Sequence, residues 1–161
     1  MIEIREATAE DVPLLLQLIR ELADYEKLLH EVEATEADLL RDGFGPERRF
    51  RALVALCDGV PAGFALWFFN YSTFQGRAGL YLEDLFVKPA FRGRGLGKAL
   101  FARLARLAVE HRCGRFVWQV LDWNAPSIAF YEGLGARRHP EWLTMRLTGD
   151  PLARLAAQDT A

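Results

Sequence analysis

Sulfur and imidazole are scarce in this chain, whose 161 residues include two cysteines, two methionines and three histidines. Cys57 and Cys113 are too few for a disulfide framework or a Cys-rich metal site, and they suit a reduced cytoplasm. His30, His111 and His139 stand far apart, beside no motif and without metal-ligand spacing, so no metal is expected. No run of about eighteen apolar residues is present to span a bilayer. The opening Met1-Ile2-Glu3-Ile4-Arg5 lacks the basic-then-apolar layout of a secretory signal. The expectation is a soluble, cytoplasmic protein with no membrane partner. Neither sign of charge dominates: 20 Lys and Arg face 22 Asp and Glu, which argues against a nucleic-acid partner.

What is present is a core-forming composition, 51% hydrophobic, in a chain long enough for one good core and little more. One domain over residues 1–148 is expected, followed by a tail at 149–161 with little pattern beyond a frayed helix. Residues 2–6 alternate like a strand, and Thr8 with Asp11 opens an amphipathic helix through Val12, Leu15, Leu16, Ile19 and Leu22 to about Tyr25. Thr35 with Asp38 opens a second, short helix that Gly43 can close. Two apolar runs joined by Asp58-Gly59 read as a hairpin. Residues 80–87 and 115–121 read as strands, with a helix from about Leu96 to His111 between them. Asn124 can cap a further helix that tolerates Pro126 in its first turn, and EWLTMRL at 141–147 reads as a closing strand.

Between the strand at 80–87 and the helix after it lies Arg92-Gly93-Arg94-Gly95-Leu96-Gly97-Lys98. A loop there aims free amides and the positive end of a helix dipole at one spot, which suits phosphate. The dinucleotide pattern G-x-G-x-x-G fails, because the third glycine falls at Gly97 and Lys98 follows. The triphosphate loop fails as well, with Arg92 at its first glycine and Ala99 at its magnesium-binding hydroxyl. What remains is R-x-x-G-x-G after a strand. Between Arg92 and Arg115 seven basic residues face one acid, Glu110, which favours a polyanionic ligand; for Arg103 and Arg106 a solvated helix face is the plainer reading.

That loop, in its strand and helix context, resembles the coenzyme A pyrophosphate loop of the GNAT superfamily of N-acetyltransferases. YLEDLFVKPAFRGRGLG, VLDWNAPSIAFYEGLGA and ELADYEK resemble the diamine (spermidine/spermine) acetyltransferase family, with FNYSTFQGR and VLDWN nearer its thialysine branch. The resemblance runs to about Leu147. It implies an α/β fold of the GNAT (acyl-CoA N-acyltransferase) type: a mixed, mostly antiparallel sheet with a splayed parallel strand pair, flanked by helices. It also implies a homodimer, acetyl-CoA as cosubstrate and a small-molecule primary amine as acceptor, either lysine-like (thialysine, lysine) or a polyamine. A protein lysine or N-terminal acetyltransferase and a non-catalytic acetyl-CoA-binding module are the alternatives.

Carried onto this sequence, the resemblance gives the pyrophosphate to Arg92, Gly93, Arg94, Gly95, Leu96, Gly97 and Lys98, chiefly through backbone amides. Backbone groups of Leu85, Phe86 and Val87 would meet the pantetheine arm, and Asn124, Pro126 and Ser127 the far side of the cofactor. For Asn124 and Ser127 simple helix capping is an equally good reading. Transfer needs a neutral amine, and exposing the lone pair of a lysine-like ammonium at pH 7 costs about 4 to 5 kcal/mol. Glu83 and Asp84 lie in an otherwise apolar strand, where an unpaired carboxylate is costly. Alternation puts them on opposite faces. The resemblance assigns Glu83 to bind the amine and accept its proton, while an ion pair with Arg is the plain reading, favoured for Asp84. Tyr131, in N-x-P-S-x-x-x-Y, would protonate the departing thiolate; its bland alternative is a core tyrosine. Tyr25, Glu26 and Trp142 would complete the amine pocket, rings and carboxylates suiting a cation. Tyr25 and Glu26 also read plainly as a helix-end ring packed on the core beside a solvated acid. Ser72-Thr73, where diamine enzymes carry an acid and a proline, and the basic Arg137-Arg138-His139 favour a shorter or partly acidic amine over a long polyamine.

Overall fold

A computed structural model describes residues 1–160. The chain forms two compact units, one of residues 1–119 and one beginning at Val120.

The first unit is a five-stranded open sheet in the order β1-β2-β3-β4-β5. Its strands are β1 (Ile2–Glu6), β2 (Arg51–Cys57), β3 (Val60–Ser72), β4 (Arg77–Val87) and β5 (Phe116–Trp118). The first four pair antiparallel in succession, and β5 joins β4 in parallel. Three helices flank them: α1 (Val12–Tyr25), α2 (Glu36–Phe44) and α3 (Leu96–Glu110). This is the mixed, mostly antiparallel architecture anticipated above.

Local chemistry explains the elements. Asp58 and Gly59 both take positive φ, 51° and 78°, as a two-residue turn twisted to match its strands requires. Thr35 Oγ1 accepts the Asp38 amide at 3.2 Å while Asp38 accepts the Thr35 amide at 2.9 Å, a reciprocal cap that starts α2. Gly43 does not close that helix. It lies inside, where a Cβ would come within 2.5 Å of the Phe50 ring, and the chain leaves the helix at Gly45.

The stop of α1 is unusual in residue type. Leu28 donates to the Ala23 carbonyl at 2.8 Å and Lys27 to that of Asp24 at 3.0 Å, with Lys27 at φ 63° where glycine is customary. The motif fixes where Tyr25 and Glu26 emerge. The apolar stripe of α1, Val12, Leu15, Leu16, Leu18 and Leu22, is buried against Ala52, Val54, Phe64, Leu66 and Phe86 of the sheet. Each such side chain contributes about 1.5 to 3 kcal/mol of burial. On the alternate face Leu53, Ala55, Ala65 and Leu80 are fully buried, and α3 packs there through Leu96, Leu100 and Leu104.

The second unit contains α4 (Ala125–Gly133) and α5 (Gly149–Ala156), so the tail holds a defined helix. Residues 141–147 form no strand within it. A strand exists only by pairing, and the described residues of this unit offer no other strand as partner.

Candidate active site

The decisive local feature is a bulge in β4. Leu82 pairs with Trp67 and Asp84 with Leu66, so Glu83 is one residue more than β3 can match. The backbone phase of β4 changes there. Leu80 donates to the Arg115 carbonyl and so faces β5, as Leu82 two residues on must also. After the bulge, Lys88 donates to the Ala62 carbonyl, so 84, 86 and 88 face β3 while Leu85 and Val87 turn to the other edge.

The β4–β5 ladder contains three pairs and ends at Leu82 with Trp118. This is why β5 is shorter than the expected 115–121. Leu85 and Val87 therefore lie past the ladder with their peptide groups turned outward. Phe86 departs from the sequence expectation: its carbonyl points at Gly63 on β3, and its ring is buried in the core. Only two of the three residues proposed for the pantetheine arm present backbone groups to that edge.

The bulge also breaks the alternation that was to separate Glu83 from Asp84. Asp84 shares its face with Leu66, Phe64 and Phe86, the face covered by α1. Its carboxyl is pushed up to about 7, first by burial and then by the negative charges of Glu83 and Glu26. Glu26 itself is raised by burial. The ion pair expected for Asp84 is not present: among the described residues no basic side chain pairs with Asp84 or Glu83. Sequence reasoning placed Asp84 in a structural role, and the signal that could have marked it was the Glu-Asp pair inside an apolar strand. Tyr81, which stacks on Phe68 at 5.1 Å, is also raised, by burial and by Glu83.

Beyond β4 the glycine loop leads into α3. Gly93 and Gly95 have φ of 75° and 88°, values that L side chains rarely adopt. Among the described residues no side chain caps α3, unlike α2, so its first amides keep their donor capacity. The guanidinium of Arg92 turns away from the loop, with Nε donating to the Val87 carbonyl at 3.0 Å.

In the second unit, Asn124 is buried and its Oδ1 accepts the Ser127 amide at 3.4 Å, with Pro126 in the first turn of α4. The capping role of Asn124 is thus present. Tyr131 lies on the same helix, its ring 5.6 Å from that of Phe130. Trp142 donates its backbone amide to the His139 carbonyl at 3.2 Å. Within the basic segment Arg138 pairs with Glu132 at 2.6 Å, and the His139 Nδ1 lies 3.0 Å from a Glu141 carboxylate oxygen. Ser72 is a buried turn residue whose hydroxyl accepts the Gln75 amide at 3.2 Å.

Comparison with known proteins decides the family. The acetyltransferase (GNAT) family profile matches residues 15–136. The chain belongs to the GNAT family of acetyltransferases. It is 40% identical to the thialysine N-epsilon-acetyltransferase of Sus scrofa, over 96% of this chain and 97% of the relative. It is 34% identical to an L-ornithine N5-acetyltransferase of Arabidopsis thaliana, over 92% of this chain and 85% of that one. Among solved structures it is similar to an integron cassette protein of V. cholerae, with a TM-score of 0.80 and 27% identity over 96% and 97% of the two chains. This GNAT protein is accordingly an N-acetyltransferase.

Proposed function

We propose that the protein transfers an acetyl group from acetyl-CoA to the primary amine of a small cation, either a lysine-like amino acid such as thialysine or ornithine, or a polyamine. The observation that carries this reading is the bulge at Glu83. It turns the peptide groups of Leu85 and Val87 toward an edge beyond the parallel ladder and gathers carboxylates nearby.

The residues fit the coenzyme. Leu85 and Val87 offer outward backbone groups to its amide-bearing arm, and Gly93 to Lys98 offer uncapped amides to its diphosphate. When bound, acetyl-CoA supplies the thioester acyl group. Glu26, Glu83 and Asp84 form a negatively charged neighbourhood that attracts an ammonium. Glu83 binds the amine and takes its proton, and Asp84, poised at about 7, is able to share that proton at neutral pH. By family resemblance, Tyr131 is assigned to protonate the departing sulfur, Asn124, Pro126 and Ser127 to the coenzyme, and Trp142 to the amine. The named substrates of the relatives support the amine class. The family relationship supports a homodimer, which light scattering checks.

A thiol-release assay with acetyl-CoA and thialysine, lysine, ornithine or spermidine tests the reading. Turnover of at least one is expected, slowed by Tyr131→Phe with acetyl-CoA affinity retained. Binding of acetyl-CoA with no turnover across that panel overturns it.

A further inference from the structure

By sequence Arg92 opens the coenzyme loop, yet its side chain leaves that loop for the amine side of the site. The guanidinium lies 4.6 Å from the centre of the Tyr25 ring and 5.8 Å from that of Phe86. Its Nε donates to the Val87 carbonyl at 3.0 Å. Tyr25 is the last residue of α1, held there by the Lys27 stop, and the next residue is Glu26. Three elements meet at one cation: the end of α1, the outward edge of β4 and the start of the glycine loop.

A guanidinium stacked on a ring and tied by a hydrogen bond is oriented in a way that a lysine ammonium is not. The Val87 contact uses one of its five donors, leaving four for a negatively charged ligand. The carbonyl likewise has two lone pairs, so Val87 keeps an acceptor site for a ligand amide while it holds Arg92. The face of Tyr25 that Arg92 covers is closed to any other cation for as long as the stack persists.

We propose that Tyr25 is a positioning residue for the coenzyme: its ring holds Arg92 over the last outward carbonyl of β4. Through this joint, occupancy of the coenzyme edge and of the amine pocket influence each other. This rests on the functional reading above. It differs from an amine-pocket role for Tyr25 in one testable respect, because it makes coenzyme affinity depend on Tyr25 when no amine is present. Reciprocity requires that whatever moves Arg92 for one ligand changes the affinity for the other.

Calorimetry of acetyl-CoA binding without amine tests the joint. Tyr25→Leu should weaken binding by about twofold to fivefold, the range for an exposed cation on a ring. Tyr25→Phe should bind like wild type, since the ring face is kept. Arg92→Lys retains the charge and loses the planar stack, so it should weaken binding as well. In an Arg92→Gln background the Tyr25→Leu change should have no further effect. Unchanged affinity for Tyr25→Leu, or an equal cost in both backgrounds, overturns the proposal. Arg92 is exposed, so Arg92→Lys is a surface change, and wild-type affinity in that variant overturns it even where Tyr25→Leu fails to fold. Wild-type protein that ignores acetyl-CoA refutes the functional reading itself, whereas variants that match a binding wild type refute the joint alone.

Discussion

Asp11, at the corner between β1 and α1, accepts both arms of the Arg5 guanidinium at 2.7 and 2.8 Å and the Thr8 amide at 2.7 Å. Those bonds, Arg5 first, hold its carboxyl down to about 2 against the burial that opposes them. Asp84, in β4 beside the bulge, is removed from water without such partners and is pushed up to about 7. The same side chain thus stands in two regions of one sheet with opposite protonation behaviour. Partners, and not burial as such, decide whether a carboxylate stabilises a fold or is left poised for chemistry.

The largest effect should come from the β4 side. Glu83→Gln and Asp84→Asn are each expected to lower kcat on a primary amine by about 10²- to 10⁴-fold. The profile of kcat/KM against pH separates them. With Asp84 required as its anion, activity rises through pH of about 7. Removing the like charge of Glu83 should move that limb to lower pH, and Asp84→Asn should abolish it. A limb unmoved by Glu83→Gln would break the contrast by showing that the two carboxylates do not sense each other.

Next comes the corner. Asp11→Ala should lower stability at pH 7 by about 2 to 3 kcal/mol, less than a fully buried pair would because Arg5 is partly exposed. Asp11 is depressed in the fold, so its contribution is present above the ordinary carboxylate range and is lost as pH falls through about 2. Urea denaturation of wild type and variant should therefore converge in acid.

Asp84 should behave in the opposite sense. Its raised carboxyl means that ionisation works against the fold as pH rises from about 4 through about 7. Asp84→Asn should then stabilise the protein by about 1 to 2 kcal/mol at pH 8, with the gain fading toward pH 4. Together with the activity loss, that would mark stability given up for function. Smallest is Arg5→Lys, which keeps the charge and loses the two-armed geometry; a loss of about 1 kcal/mol is expected in the same denaturation assay. No loss would show that charge alone holds Asp11.

Much of this fold could be read before any coordinates. Thr35 with Asp38 and Asp58-Gly59 are local signals whose partners lie within a few residues, and both formed as expected, while Thr8 with Asp11 opens a short 3-10 turn at Ala9–Asp11 from which the helix at Val12 follows. Gly43 misled because its reason for being glycine is the ring of Phe50, seven positions on. Alternation misled at Glu83 and Asp84, since a bulge is a mismatch between two strands and has no signature in one of them. The closing strand read at EWLTMRL fails for a related reason, since a strand depends on what lies beside it.

The sequence alone determined the family, the order of elements through the first unit and the glycine loop at the start of α3, because repeating side-chain periods and φ requirements are local properties. Only the tertiary structure decided which peptide groups of β4 face outward, which aspartate lacks a partner and where the Arg92 side chain rests. Those outcomes follow from strand register and from burial, and both are set by residues distant along the chain.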